Sequence, residues 1–289
     1  EQSDLELFYQ DVLGTEGMAN PSYTDVLPAA AFNIDLTGTQ KLRVSASQTL
    51  SRPEYREIAP ICYRAGLGEE QRCGNPELRR TLIQNYDVRW ERYPGPGEML
   101  SVALFAKRFT DPIEPRYQGR SGTNSLWFQN AESAVNFGVE LEAMRNLGFV
   151  SESLESLSAF ANVTVMKSEV TTGVEGDAKR RMTGQAPYVV NTGVTWAPVD
   201  GATSATVLFN VVGERIINAR PSGLTVLDMV EQPRPSLDVS LRFPLLRGMS
   251  GKLDLKNLLD SPYEVKQGEL QRAYHRSGRG ASIGVSWRQ

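Results

Sequence analysis

Residues 138–143 read Gly138-Val139-Glu140-Leu141-Glu142-Ala143. Successive side chains of an extended strand point to opposite sides. Val139, Leu141 and Ala143 therefore share one face, and Glu140 and Glu142 share the other. One face is apolar and the other is charged. The pattern recurs along the chain: Leu237, Val239 and Leu241 oppose Asp238, Ser240 and Arg242, and Leu253 and Leu255 oppose Lys252, Asp254 and Lys256. In the last segment Ile283, Val285 and Trp287 oppose Gly284, Ser286 and Arg288. Period-two alternation in segments of this kind predicts β-strands from end to end.

Turn signals separate the segments in two alternating sizes. Thr37-Gly38-Thr39-Gln40, Pro94-Gly95-Pro96-Gly97, Pro198-Val199-Asp200-Gly201 and Arg247-Gly248-Met249-Ser250-Gly251 suit tight turns. The longer connections are 53–80, 117–127, 171–186, 219–233 and 266–276, and 147–156 is of intermediate length where a short one is expected. This predicts strands at 24–37, 41–52, 81–93, 98–116, 128–146, 157–170, 187–198, 202–218, 234–246, 252–265 and 277–288, with a further one near 4–11. Hairpins with short turns at one end and long loops at the other describe an outer-membrane barrel, short turns and C-terminus in the periplasm. A soluble antiparallel sheet would also alternate. Its strands usually run about five or six residues, whereas several segments here extend past a dozen, as tilted membrane-crossing strands do.

The chain has 289 residues, 40% hydrophobic and 22% charged, with a net charge of -3. Nothing approaches the roughly 18 consecutive apolar residues of a transmembrane helix. A transmembrane barrel needs none, because its strands average to soluble-looking hydropathy. The start Glu1-Gln2-Ser3-Asp4 carries no initiator Met or signal peptide, so a removed leader or an internal start is expected. The 31 basic and 34 acidic residues are scattered without a basic face, which argues against nucleic acid as a partner. Cys62 and Cys73 are too few for a structural zinc site with only one histidine in the chain, and no metal or cofactor is expected. A disulfide closing their loop is favoured over two free thiols, and it requires an oxidising compartment.

Enzyme chemistry finds little support. His275 would have to serve any Ser-His-Asp arrangement, yet it stands in a polar loop and no serine carries an elbow motif. Glu140 and Glu142 could be a carboxylate pair, but residues two apart on a strand repeat one face. Lys179-Arg180-Arg181 could bind an anionic ligand or lipopolysaccharide phosphates, or be solvated loop charge. Trp90, Tyr93, Phe105 and Trp287 near strand ends suit interfacial girdles or ordinary packing.

Ser51-Arg52-Pro53-Glu54-Tyr55-Arg56-Glu57 resembles the SRPxFRE signature of TonB-dependent outer-membrane receptors, with Tyr55 where Phe is usual. Gly74-Asn75-Pro76-Glu77-Leu78 followed by Asn85-Tyr86-Asp87-Val88-Arg89-Trp90-Glu91 resembles the family's GNPxL and NYDLxxE run. Phe109-Thr110-Asp111-Pro112-Ile113-Glu114, Gln129-Asn130-Ala131 through Glu142, and Asn257-Leu258-Leu259-Asp260 with Tyr263 are similar to later family strands. Gly280, Ile283, Val285 and Trp287 match the family's barrel-assembly signal, although Arg288 and Gln289 follow where the family usually stops.

The resemblance implies an all-β, antiparallel transmembrane barrel, of which residues 1–289 would supply the C-terminal half. That is about 11–12 of the 22 strands of such transporters. The N-terminal plug and TonB box that the family carries are not found in the sequence, so a fragment is expected. It further implies a receptor in the bacterial outer membrane for a scarce substrate such as a ferric siderophore, cobalamin, haem or an oligosaccharide. TonB, energised through ExbB-ExbD, would act through the N-terminal part, and the barrel assembly machinery and outer-membrane lipid would be partners. The substrate would meet the loops 53–80, 117–127, 171–186 and 219–233, with Arg181 among them. Arg89, Glu140, Glu142 and Arg242 would face the lumen by alternation. The competing expectations are a soluble or secreted all-β carbohydrate-binding module and a small passive porin.

Overall fold

In a computed structural model, which describes residues 2–4, 7–10, 16–19, 22–64, 71–120, 123–198, 202–220, 227–246 and 248–287, the alternating segments form one antiparallel sheet. Its strands are β1 (Ala29–Thr37), β2 (Gln40–Ser51), β3 (Thr81–Arg92), β4 (Met99–Thr110), β5 (Ser133–Asn146), β6 (Leu157–Thr171), β7 (Tyr188–Trp196), β8 (Ser204–Val212), β9 (Ser236–Pro244), β10 (Met249–Lys256) and β11 (Gly280–Trp287). Each pairs with the one before and the one after it in sequence, an eleven-stranded meander among the described residues. Two short antiparallel pairs precede it, Gln2–Asp4 with Ser22–Thr24 and Leu7–Gln10 with Glu16–Ala19.

The tight turns at 37–40 and 94–97 fall where sequence places them, whereas Met249, Ser250 and Gly251 of the predicted 247–251 turn already belong to β10, which starts soon after β9 ends at Pro244. Gly97 closes the β3–β4 turn at φ 74°, a conformation that side chains with a Cβ rarely adopt. Turn residues 199–201 and 247 lie outside the described residues. The intermediate connection forms two 3-10 turns, Leu147–Phe149 and Glu152–Leu154, held by Asn146, whose Oδ1 accepts from the Gly148 N–H at 2.8 Å.

Three predicted strands end earlier than expected. The 98–116 segment stops at Thr110, where Asp111 takes φ 55° and Pro112 removes a ladder donor, and the chain restarts as Ile113–Arg120. The 202–218 segment divides after Val212 into β8 and Arg215–Asn218. The 252–265 segment bends at Asn257 (φ 55°) and Asp260 (φ 46°) before Tyr263–Gln267. Asn and Asp tolerate the left-handed region better than most residues. Asn257 N–H donates to Asp238 Oδ1 at 2.8 Å and Asp260 Oδ1 accepts from Gly278 N–H at 3.0 Å, which fixes both bends. Thr110-Asp111-Pro112, Gly213-Glu214 and Lys256-Asn257 interrupt the alternation at these points, local breaker signals that the strand prediction ran through.

The long loops are folded rather than irregular. Ile113–Arg120, Thr123–Asn130, Gln71–Cys73 and Cys62–Tyr63 make one four-stranded sheet, and Arg215–Asn218, Met229–Glu231, Tyr263–Gln267 and Leu270–His275 make another. A bridge between Arg116 and Ala219 joins them. His275, expected in a loop, ends a strand, and its ring lies 4.8 Å from that of Tyr263.

Burial is inverted relative to a water-soluble sheet protein. Among the described residues, the large fully buried apolar side chains are Ile58, Leu126 and Val265 in the loop layer and Val170 at the loop end of β6. The apolar face of the wall stays open, with Leu104 54%, Phe137 50% and Val165 57% exposed. On the opposite face Glu91 is 5% and Ser101 3% exposed. Apolar side chains turned outward with polar ones enclosed is the arrangement of a wall whose outer solvent is lipid.

Candidate functional site

The enclosed polar face is built by register. Arg43 on β2 stands opposite Arg89 on β3, which stands opposite Ala103 on β4, which stands opposite Glu140 on β5. One step toward the short turns, Lys41, Glu91, Ser101 and Glu142 form the next row. Glu91 accepts from Arg43 Nε at 3.1 Å, Arg89 Nε at 2.9 Å and the Tyr93 hydroxyl at 2.8 Å. Arg89 Nη2 reaches Glu142 Oε2 at 2.5 Å, and Ser101 Oγ donates to the same oxygen at 3.4 Å. Arg43 Nη1 extends the chain to Asn33 Oδ1 at 3.2 Å. Two carboxylates and two guanidiniums thus compensate one another on a face where burial would otherwise penalise charge.

Small residues make this close layering possible. A Cβ at Gly138 would lie 2.7 Å from Phe105 Cζ and 2.5 Å from the Val165 carbonyl oxygen, so the phenyl ring can lie across the sheet only above glycine.

The five polar residues singled out from sequence fall in three places. Arg89 and Glu142 are bonded, and Glu140 shares their face two residues away, exposed. Arg242 is four strands from Glu142, opposite Ser204 and Lys252, and lines a cavity of about 690 Å³ with Lys252, Ser250, Ser286 and Trp287. Arg181 lies in the loop layer, bonded to Glu214 at 2.7 Å. Its neighbours are also committed: Lys179 to Glu169 at 2.6 Å and Arg180 to Glu114 at 2.6 Å. The basic run is therefore neutralised residue by residue instead of forming one cationic patch. Sequence reading passed over Arg43 and took Tyr93 only as an aromatic near a strand end, because neither the partner strand nor its register is visible in a local pattern.

Glu114 anchors the loop layer. It is 2% exposed and accepts from both terminal nitrogens of Arg180, and from the N–H and Oγ1 of Thr183 at 3.0 and 2.7 Å. Arg116 bonds Asp177 at 2.7 Å, so the hairpin after β4 holds the connection after β6 through two ion pairs. Tyr117 donates to Met229 Sδ and accepts from Asn218 Nδ2 at 3.2 Å, tying that hairpin to the second loop sheet.

Cys62 and Cys73 form a disulfide, their Cα atoms 4.1 Å apart across paired strands. Before β1, the Asp25 carboxylate accepts from Arg80 Nε at 2.6 and 2.8 Å. These hydrogen bonds hold the Asp25 carboxyl below the usual range and raise the Arg80 guanidinium. Arg80 also lies 4.7 Å from the Tyr23 ring centre. In the helix α1 (Tyr55–Ile58), burial pushes the Glu57 carboxyl up. Ile283, Val285 and Trp287 share the apolar face of β11 and are exposed along it.

Several solved structures with this architecture are receptors or transporters by their descriptions. The structure is similar to a variant of the ferric enterobactin receptor PfeA of Pseudomonas aeruginosa in complex with enterobactin, with TM-score 0.60 and 16% identity over 93% of this chain and 41% of that one. It is similar to the ferric yersiniabactin uptake receptor FyuA of Yersinia pestis, with TM-score 0.61 and 21% identity over 93% of this chain and 38% of that one. A third is the copper transporter OprC, with TM-score 0.63 and 15% identity over 94% and 39%. The chain thus spans about two fifths of the length of these proteins. A search of curated proteins found no match. The family model described as TonB dependent receptor-like, beta-barrel, matches residues 6–257. With an open apolar outer face, an enclosed ionised inner face and a family match over most of its length, the chain belongs to the TonB-dependent receptor β-barrel family.

Proposed function

We propose that residues 1–289 form one continuous part of the wall and outward loops of a TonB-dependent outer-membrane receptor that takes up a scarce substrate. The observation that carries this reading is the opposition of two faces on the same eleven strands: an exposed apolar one and an ionised one centred on Arg89, Glu91 and Glu142. A wall of this kind satisfies every interior backbone group through its neighbours, which lipid demands. Folded loops above it supply recognition, and Arg242 and Glu140 on the inner face would line the passage.

A ferric siderophore, cobalamin, haem or an oligosaccharide is the proposed class of cargo, and the siderophore-receptor neighbours favour the first. TonB with ExbB-ExbD would supply the force through parts of the receptor beyond this wall. Gly280, Ile283, Val285 and Trp287 would be read by the barrel assembly machinery. Catalysis has no part in this reading, and the family is one of transport receptors.

The test is made on the full-length polypeptide containing this chain, expressed in a receptor-deficient bacterial host. Recovery in the outer membrane, heat-modifiable migration and substrate uptake that stops when TonB is deleted are expected. Recovery as a water-soluble protein would replace the reading with a secreted binding module. Uptake that persists without TonB would replace it with a passive porin.

A further inference from the structure

The inner face of the wall is open toward the short turns and covered at its loop end. On β5, Ala134, Asn136, Glu140 and Met144 share that face by alternation. Glu140 is exposed and Met144 is 44% exposed, whereas Ala134 is 2% exposed. Beside it on β6, Val170 is fully buried and Ser168 nearly so. Asn136, between the open and the covered parts, has its amide oxygen buried.

Two segments make the cover. The connection after β6 turns back over this face: Met182 N–H donates to Ser168 Oγ at 2.9 Å, Ser168 Oγ donates to Gln185 Oε1 at 2.6 Å, and Met182 packs against Ala131, Ala134 and Val170. Against that connection lies Ile113–Arg120, an edge strand of the first loop sheet. The strand leaves the wall at β4, and β4 and β8 are four strands apart, about 19 Å of wall at the usual spacing. Arg116 nevertheless bridges Ala219, which follows the continuation of β8 at Arg215–Asn218. The strand therefore leans across the ends of β5, β6 and β7 instead of rising straight above β4.

The seam between the two loop sheets is held mainly by side chains. Among the described residues, one backbone bridge, Arg116 with Ala219, joins their edge strands. The connection after β6 grips the first sheet through Arg180 with Glu114 at 2.6 Å and Asp177 with Arg116 at 2.7 Å. It grips the other side through Gly184 N–H, which donates to the Ile216 carbonyl at 2.7 Å, and through Arg181 with Glu214 at 2.7 Å. At the base of the strand, Asp111 (φ 55°) and Pro112 interrupt the β4 ladder, so a backbone kink joins it to the wall. Parting such a seam costs a few side-chain bonds, whereas parting two wall strands would cost a whole ladder.

We infer that the first loop sheet is a lid, latched shut over the loop end of the inner face by Glu114–Arg180 and Arg116–Asp177, and that a solute reaches the inner face when the seam along Ile113–Arg120 parts. The inference rests on the reading of that face as a substrate passage. Glu114 and Asp177 hold the closed state and make no contact with substrate in this scheme.

The experiment labels one cysteine beneath the lid. The full-length polypeptide carrying Asn136→Cys is treated in intact cells with a membrane-impermeant maleimide, and modification at residue 136 is followed by peptide mass spectrometry. Cys62 and Cys73 are paired and do not react. Glu114→Gln takes the carboxylate from the buried Arg180 guanidinium and is expected to speed labelling at least ~10-fold, the effect of one lost charged hydrogen bond on an open–closed equilibrium. Asp177→Asn, which takes the carboxylate from Arg116, is expected to do the same, and it replaces Glu114→Gln if that protein lacks heat-modifiable migration. Arg215→Gln breaks an ion pair inside the second loop sheet, with Glu231 at 2.9 Å, and is expected to label at the parent rate. Unchanged labelling in the latch variants, or equal acceleration in Arg215→Gln, would overturn the lid.

A covalent closure tests the seam itself. With Arg116→Cys and Ala219→Cys added, residue 136 should label fast under reduction and slow by the same factor once oxidation joins the two new thiols across the bridge. Fast labelling that persists after oxidation puts the entry elsewhere and overturns the inference. Labelling needs neither TonB nor cargo. Uptake that is absent or independent of TonB overturns the transport reading and leaves the lid to be decided by these rates; latch-insensitive labelling beside TonB-dependent uptake overturns the lid alone.

Discussion

Arg89 and Glu142 are bonded at 2.5 Å although a whole strand, β4, lies between the strands that carry them. The contact is possible because β4 presents Ala103 and Ser101 at the two positions over which the arginine must pass. Replacing Glu142 by Gln keeps the shape and removes the charge, leaving Arg89 with Glu91 alone. A loss of about 1–3 kcal/mol is expected, read as a lower temperature for the heat-modifiable gel transition of the full-length protein.

Val139 and Glu140 are adjacent in sequence and face opposite ways. Val139→Arg places a cation on the lipid side, at an expected cost of about 2–4 kcal/mol near the bilayer midplane. Glu140→Arg changes charge by two units on the polar face and should assemble normally. Comparing the folded fraction of the two proteins in outer membranes checks the assignment of faces. Equal assembly would contradict it.

Glu114 is the acceptor for Arg180 and Thr183 in a buried setting. Glu114→Ala leaves the Arg180 guanidinium buried and uncompensated, with an expected cost of about 3–5 kcal/mol to the local structure. The connection after β6 should then release from the hairpin. Trypsin cleavage after Lys179, Arg180 or Arg181 should accelerate, while cleavage within the wall stays unchanged.

The Cys62–Cys73 disulfide closes a loop of sequence separation 11. Chain-entropy arguments give about 2–3 kcal/mol for a loop of this size. Cys73→Ser should loosen residues 53–80 locally without preventing assembly of the wall, and the unmodified protein should yield no free thiol on denaturation. Hydrogen exchange over that segment, before and after reduction, would measure the change.

Asp25 titrates below its usual range because it accepts from Arg80. A carboxyl lowered by folding contributes stability that is fully present above its unfolded value and is lost as pH falls through its folded one. The unfolded value is about 3.8. The difference in unfolding midpoint between the unmodified protein and Asp25→Asn should therefore stay constant near neutrality and close as pH falls below that value. A difference that widened in acid would reverse the sign.

The sequence by itself separated the two faces of segments such as 138–143 and 237–242 and ordered the wall strands along the chain. Side-chain direction in a strand is a local property with a period of two, so Val139 and Glu140 were separable without any knowledge of their partners. Turn chemistry is equally local, and Gly97 sits where the β3–β4 turn needs it. Tertiary structure alone decided what depends on register and on the loop fold. Arg89 could have met Glu140, which is level with it, and meets Glu142 instead. Arg180 and Glu114 are 66 residues apart, and nothing in the basic run 179–181 indicates that each member has its own carboxylate. The ends of β4, β8 and β10 carry local marks in Asp111-Pro112, Gly213 and Asn257, but where the chain goes after each is a tertiary matter. The bends at Asp111 and Asn257 are fixed by hydrogen bonds with Asn130 and Asp238, residues distant in the chain.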